Sequence, residues 1–197
     1  MYIAFAPLQG YTDCIYRRAH HECVGGVDEY YTPFVRIEHG EIRKKDLRDI
    51  DPERNSGVPT VPQVIAKDGD EFARLCDALQ GQGWQRIDIN MGCPFPMQVK
   101  AGRGSGLLQH PDKVEEILRE MQSRPEVTFS VKMRLGMRKN DASAIQKPNI
   151  TTISSQLKKF KCSVKIIIRT VMATKMANKL SNNRYPSLCM YMVVNGD

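Results

Sequence analysis

Asp88-Ile89-Asn90-Met91-Gly92-Cys93-Pro94 is the stretch on which the reading of this chain turns. Residues 86–90 read as a strand, and Gly92 and Pro94 break it. A tight turn then sets Cys93 just beyond the strand's carboxyl end. In parallel α/β folds, ligands bind outside the carboxyl ends of the strands. Cys93 is therefore expected to face a pocket. Taken alone, a loop cysteine is ordinarily a small apolar residue with no chemical role.

The flanking sequence supports a parallel α/β arrangement. Upstream, residues 2–6 form a short apolar run closed by Pro7 and Gly10, the first expected strand. Thr12 or Asp13 can cap a helix running to about His21. Residues 29–32 read as a second strand stopped by Pro33, and residues 61–65 as a third. Between them, residues 39–55 are charged and read as a loop with some helix. A helix from Asp70 carries Phe72, Leu75, Cys76 and Leu79 at helical spacing. Downstream of Cys93 come a glycine-rich loop over 102–106, a helix over 111–121 and a fifth strand over 128–135. That second helix sets Val114, Ile117, Leu118 and Met121 on one face. Strands alternating with such helices argue for βαβ units and a parallel sheet. Right-handed crossovers then build an open doubly wound sheet or a barrel.

After Gly136 the pattern degrades. Residues 137–155 show no clear period, although residues 163–169 and 190–194 can form strands. The charge changes at the same place. Residues 1–136 carry 18 Lys+Arg and 20 Asp+Glu, whereas residues 137–197 carry 11 and 2. The whole basic excess of the +7 chain thus lies in the tail. Such a segment can contact nucleic acid or can be an aberrant piece of sequence. With 197 residues, 41% of them hydrophobic, the chain can bury one core. It is short for a complete (β/α)₈ barrel of about 250 residues.

Six cysteines at 14, 23, 76, 93, 162 and 189 form no CxxC pair, so reduced thiols in a cytoplasmic protein are expected, with no metal. The amino terminus lacks the basic and apolar regions of a signal peptide. No run approaches the roughly 20 apolar residues of a membrane span. The expected state is a monomer without a membrane anchor.

Several side chains at strand ends suit chemistry. Glycines at 102, 104 and 106 allow backbone N–H groups to approach a ligand, and Lys100 and Arg103 add positive charge. The alternative is a loop that merely needs positive φ. Gln63 sits in the third strand and Lys132 inside the apolar fifth. A lysine pointing into a barrel is costly unless it meets an anion. Arg134 shares its parity, which fits a solvated face equally well.

Together these segments resemble the tRNA-dihydrouridine synthases. The residues that carry the resemblance are 6–13 (Ala-Pro-Leu-Gln-Gly-Tyr-Thr-Asp), 31–36 (Tyr-Thr-Pro-Phe-Val-Arg), Gln63, 88–94, the glycine loop over 100–108 and 131–136 (Val-Lys-Met-Arg-Leu-Gly). They occur in the family's order. The resemblance implies a (β/α)₈ TIM barrel, here incomplete, with about the first five to seven strands. Residues 1–136 would be the amino-terminal part of the FMN-binding barrel, and 137–197 an atypical basic continuation. The implied reaction reduces the C5=C6 bond of a uridine in tRNA. FMN is the cofactor and NADPH the reductant. Cys93 matches the cysteine that protonates C5, for which the neutral thiol is needed. By the same match Pro7, Leu8 and Gln9 line the flavin edge, Gln63 hydrogen-bonds the ring, and Lys132 faces its N1/O2 side. Asn90 falls where the family contacts the nucleotide. Lys100, Arg103 and Arg36 are candidates for RNA phosphates. Arg43, Lys44, Lys45 and Arg48 are further candidates, although such a run is ordinarily a solvated surface.

The pattern departs from the family after Gly136. Ile168-Arg169-Thr170 echoes a family motif without its histidine, and Asn195-Gly196-Asp197 resembles the seventh strand end, a flavin contact. The late phosphate-binding loops and the helical domain have no counterpart. A reading-frame slip between about Met137 and Met190 would explain this. Two other readings stay open. One is a non-catalytic RNA-binding remnant. The other is an FMN barrel acting on a small molecule, as dihydroorotate or enoate reductases do.

Overall fold

The structure is a computed structural model that describes residues 2–134, 163–168 and 189–195. Leu135, Gly136, Gly196, Asp197, the Arg169-Thr170 echo and most of the basic tail lie outside the described residues.

Strands and helices alternate as the sequence patterning predicts. Strand β1 (Ala4–Phe5) leads to helix α1 (Cys14–Cys23). Asp13 caps that helix, its carboxylate accepting from the Tyr16 N–H at 3.0 Å. Strand β2 (Glu29–Tyr31) follows. The charged stretch then resolves into a hairpin of β3 (Ile37–Glu38) and β4 (Glu41–Ile42), and helix α2 (Lys44–Asp49). His39, at φ 52°, and Gly40 make its turn. Two-residue strands leave too little period to be read from sequence.

The expected third strand is split. Pro62 lacks an N–H, so the ladder divides into β5 (Thr60–Val61), paired with β2, and β6 (Gln63–Val64), paired with the next strand. Helix α3 (Gly69–Gln80), capped by Asp68, leads to β7 (Arg86–Met91). The glycine region holds a short helix α4 (Pro96–Lys100) and a 3₁₀ turn (Gly104–Gln109). Helix α5 (Pro111–Gln122) and β8 (Thr128–Arg134) complete this part.

β1, β2 and β5 form one parallel sheet, and β6, β7 and β8 begin another. The two adjoin through Pro62, giving a continuous parallel order β1-β2-β5/β6-β7-β8. Among the described residues this array does not close on itself. Parallel order ends at β8. The remaining strands, β9 (Ser163–Ile168) and β10 (Cys189–Asn195), continue the second sheet with β10 antiparallel to both β8 and β9. The parallel sheet expected of the alternating strands and helices thus holds through β8, and the two tail strands join it antiparallel. A parallel neighbour needs a crossover, usually helical, and residues 137–155 carry no helical period.

The hydrophobic core lies between the second sheet and its helices. Ile87, Ile89, Met91, Phe129, Val131 and Met133 face α3 and α5, and the Phe72 and Phe129 rings stand 5.6 Å apart. Because strand side chains alternate, the intervening residues Asp88, Asn90, Ser130 and Lys132 share the opposite face. Gln63 joins them through its side-chain hydrogen bonds, so this face of the array is polar.

Candidate active site

The polar face is organised around the β7 carboxyl end. Asn90 is buried, and its Oδ1 accepts from the backbone N–H of Gly92 at 3.0 Å and of Cys93 at 2.9 Å. This side-chain cap fixes the turn that carries the thiol. Asn90 Nδ2 donates to Gln63 Oε1 at 2.8 Å, and Gln63 Nε2 donates to Asp88 Oδ2 at 2.7 Å. Ser130 donates to the other Asp88 oxygen at 2.6 Å. From β2's end, Thr32 Oγ1 accepts from the Gln63 N–H at 3.0 Å.

The glycine loop clamps the far side of Cys93. The Cys93 carbonyl accepts from the Ser105 N–H and hydroxyl, both at 3.0 Å. Gly104 packs so closely that a Cβ there would lie 2.7 Å from the Cys93 oxygen and 2.9 Å from its Cβ. Close backbone packing, more than an open ligand cradle, thus explains this glycine. Gly104→Ala is expected to cost roughly 1–3 kcal/mol by overpacking at φ +58° and to displace Cys93. Gly102→Ala, with only Lys67 Cβ at 3.8 Å, is expected to cost about 1 kcal/mol from its φ alone. Urea unfolding of the two variants checks the order, and equal losses would refute the packing argument.

The structure brings Gln63, Asn90 and Lys132 to one face, and Cys93 follows at its β7 end with its backbone N–H on Asn90. Lys132 is half-buried there, and its charge favours the ionised form of Asp88. It therefore stands with Ser130 on the face lined by Asp88. Burial nevertheless raises the Asp88 carboxyl to about 7. Burial and the nearby Asp88 and Glu29 carboxylates also raise the Tyr31 phenol. The Arg86 guanidinium pairs with Glu29.

The β1 loop lies at the neighbouring strand end. Pro7 is half-buried, and Leu8 and Gln9 are exposed. Gln9 Oε1 accepts from the Phe34 N–H at 3.0 Å, tying the first loop to the second. Gln9 and Arg36 line a cleft of about 320 Å³ together with Tyr11, Arg43, Lys45 and Arg48. Arg36 pairs with Glu38 at 2.6 Å. Arg103 is committed to Glu71 and to the Ile37 carbonyl at 3.0 Å. Lys100 is exposed at the end of α4. Asn195 ends β10 opposite Ser163, beyond the Val194–Phe129 pair, where β8 begins. The structure does not bring it to the Cys93 end of the sheet. Asp88, Ser130, Thr32 and Ser105 were not singled out from the sequence for a role. The parity of Asp88 with Asn90, and of Ser130 with Lys132, was the available signal.

Residues 4–152 match the family described as Dihydrouridine synthase (Dus). The chain belongs to this family. The match runs past the change in composition near Met137. The tRNA-dihydrouridine(16) synthase of Neisseria meningitidis serogroup B is 33% identical over 142 residues, covering 68% of this chain and 42% of that protein. The tRNA-dihydrouridine synthase B of Pasteurella multocida is 32% identical over 146 residues, covering 73% and 43%. The protein of that name from Escherichia coli K12 is 34% identical over 133 residues, covering 66% and 40%. The chain thus spans less than half the length of these curated relatives. Among its described residues no helix is long and apolar enough to cross a membrane, and no cluster of three or more His, Cys, Asp or Glu is arranged to hold a metal.

Proposed function

We propose that this chain carries the catalytic half of a tRNA-dihydrouridine synthase, in which Cys93 protonates C5 of a uridine while its C5=C6 bond is reduced. The observation that carries this reading is the turn held from both sides, by Asn90 on the Cys93 N–H and by Ser105 on its carbonyl. A general acid must be fixed within hydrogen-bonding reach of the atom it protonates. The parallel array is read as the opening part of a (β/α)₈ barrel, with the substrate entering at its carboxyl ends.

The donor set of the polar face fits the ring of FMN. Gln63 keeps a second N–H and a second lone pair beyond its two internal bonds. Lys132 offers a cation on the same face, where negative charge at the ring's N1/O2 side would be stabilised. Pro7, Leu8 and Gln9 would line the ring edge. FMN held there and reduced by NADPH would supply the hydride for C6. Lys100, exposed, and Arg36, at the cleft, suit RNA phosphates. Arg103 holds the loop through Glu71 and Ile37, and Asn90 holds the turn while its second Nδ2 N–H suits the nucleotide. The target uridine must leave its stack to reach Cys93.

Titrating the purified chain with FMN, followed by flavin absorbance and fluorescence, tests the reading. One bound flavin per chain with a shifted spectrum, and NADPH oxidation that requires tRNA, are expected. Failure to bind flavin would favour the RNA-binding remnant. Oxidation indifferent to tRNA would favour a small-molecule reductase.

A further inference from the structure

Asp88 has no part in the acid, ring or RNA roles above, yet it is fully buried on the polar face and two residues before Asn90. We propose that Asp88 is a positioning residue for Cys93, acting through the side-chain amides of Gln63 and Asn90. The inference rests on the reading of Cys93 as the acid, and its test needs neither flavin nor tRNA.

The direction of every bond in the relay follows from chemistry. Two backbone N–H groups, of Gly92 and Cys93, meet one atom of the Asn90 amide. Both can only donate, so that atom is the oxygen. Asn90 then turns its NH₂ toward Gln63, which must answer with its own oxygen. The Gln63 NH₂ consequently faces position 88, where only an acceptor satisfies it. Asp88 supplies that acceptor on Oδ2. Its other oxygen meets Ser130, whose hydroxyl can donate or accept. A flipped Gln63 amide would set NH₂ against the Asn90 NH₂ and oxygen against the carboxylate, leaving buried groups unsatisfied. Asp88 therefore holds Gln63, Gln63 holds Asn90, and Asn90 caps the turn of Cys93.

The same logic separates two substitutions. Asp88→Asn can set its oxygen toward Gln63 and its NH₂ toward Ser130, so the relay survives. Asp88→Leu offers no acceptor, so the relay fails. Amide hydrogen exchange of Gly92 and Cys93, read by NMR, reports the cap directly. Exchange at these two amides is expected to be about tenfold or more faster in Asp88→Leu and near the wild-type rate in Asp88→Asn, with α3 and α5 amides protected in both. Wild-type exchange in the leucine variant would overturn the proposal, as would equal loss in both variants. If Asp88→Leu loses α3 and α5 protection as well, Gln63→Met breaks the relay one residue later and carries the same comparison. Should the exchange pattern hold while Cys93→Ala leaves uridine reduction unchanged, the relay stands and the reading of the acid fails.

Discussion

Cys93→Ala is expected to lower the single-turnover rate of uridine reduction in tRNA by roughly 10²–10⁴-fold, the range of a positioned general acid. The loss should fall on chemistry and not on structure. Both ties that hold residue 93 use its backbone, the N–H to Asn90 and the carbonyl to Ser105. Alanine keeps both and keeps the Cβ against which Gly104 packs. On the proposed reading the reductive half-reaction does not use the thiol, so one equivalent of bound FMN should be reduced by NADPH without RNA as fast in the variant as in the wild type. Cys93→Ser should remain nearly as slow, because a hydroxyl is a far weaker acid than a thiol. Dihydrouridine formed per tRNA, measured from pre-reduced enzyme, checks both variants against the wild type. A rate within threefold of wild type in Cys93→Ala, roughly 0.6 kcal/mol, would mean that the proton comes from another donor.

The fold of the first 134 residues was legible because its helices and its longer strands have clear periods. α3 and α5 show apolar residues at helical spacing, and the Asp13 cap stands where a helix start was expected. What the sequence concealed was local. Pro62 divides a strand that reads as one, and the β3–β4 hairpin uses strands of only two residues. At the site, Cys93, Gln63 and Lys132 were legible as chemistry-bearing types at strand ends. The purpose of the neighbouring residues was not, because it depends on partners far apart in sequence. Arg103 reads as a free cation until Glu71, 32 residues away, is seen to hold it. Gly104 reads either as a ligand cradle or as a loop residue needing positive φ, and its φ of +58° and the Cys93 packed against it favour the second. Asn90 reads as a nucleotide contact, and its amide also caps its own turn, which the sequence did not reveal. Arg17 is hidden in the same way. It sits fully buried on α1, bonded to Thr12, Asp49 and Asn55, and so ties that helix to the charged segment.

These commitments share a physical logic. A polar face inside a sheet is costly unless each group finds a partner. Here the partners form a chain that ends at the cysteine turn, so one set of hydrogen bonds both satisfies the buried groups and fixes the geometry of the Cys93 turn. Substitutions on this face should therefore act on stability and on Cys93 together. Those on Lys100, exposed outside the chain of bonds, should act on RNA affinity alone.

Asp88 should make folding stability fall as pH rises from about 4 to about 7. Burial lifts its folded carboxyl to about 7, against hydrogen bonds from Ser130 and Gln63 and the charge of Lys132. In the unfolded chain the same group titrates near 3.9. Between these values the folded state keeps a proton that the unfolded chain has lost, so raising the pH favours unfolding. The penalty is absent below the unfolded value and complete above the folded one. The groups facing Asp88 are Glu29 and Tyr31 on β2, Gln63 on β6, and Ser130 and Lys132 on β8. Glu29 adds repulsion, and the Arg86 pairing offsets part of it. At about 1.4 kcal/mol per pKa unit the full effect is at most about 4 kcal/mol, and roughly 2–4 kcal/mol is expected. Asp88→Asn imitates the protonated acid at every pH. Its advantage over the wild type in urea unfolding should therefore be small at pH 4 and grow to that size by pH 8. Acid effects from the other carboxylates occur in both proteins and cancel in the difference. A difference that stays constant with pH would mean that Asp88 is ionised in the folded protein throughout. The relay to Cys93 would then be anchored on a carboxylate and would not respond to pH in this range.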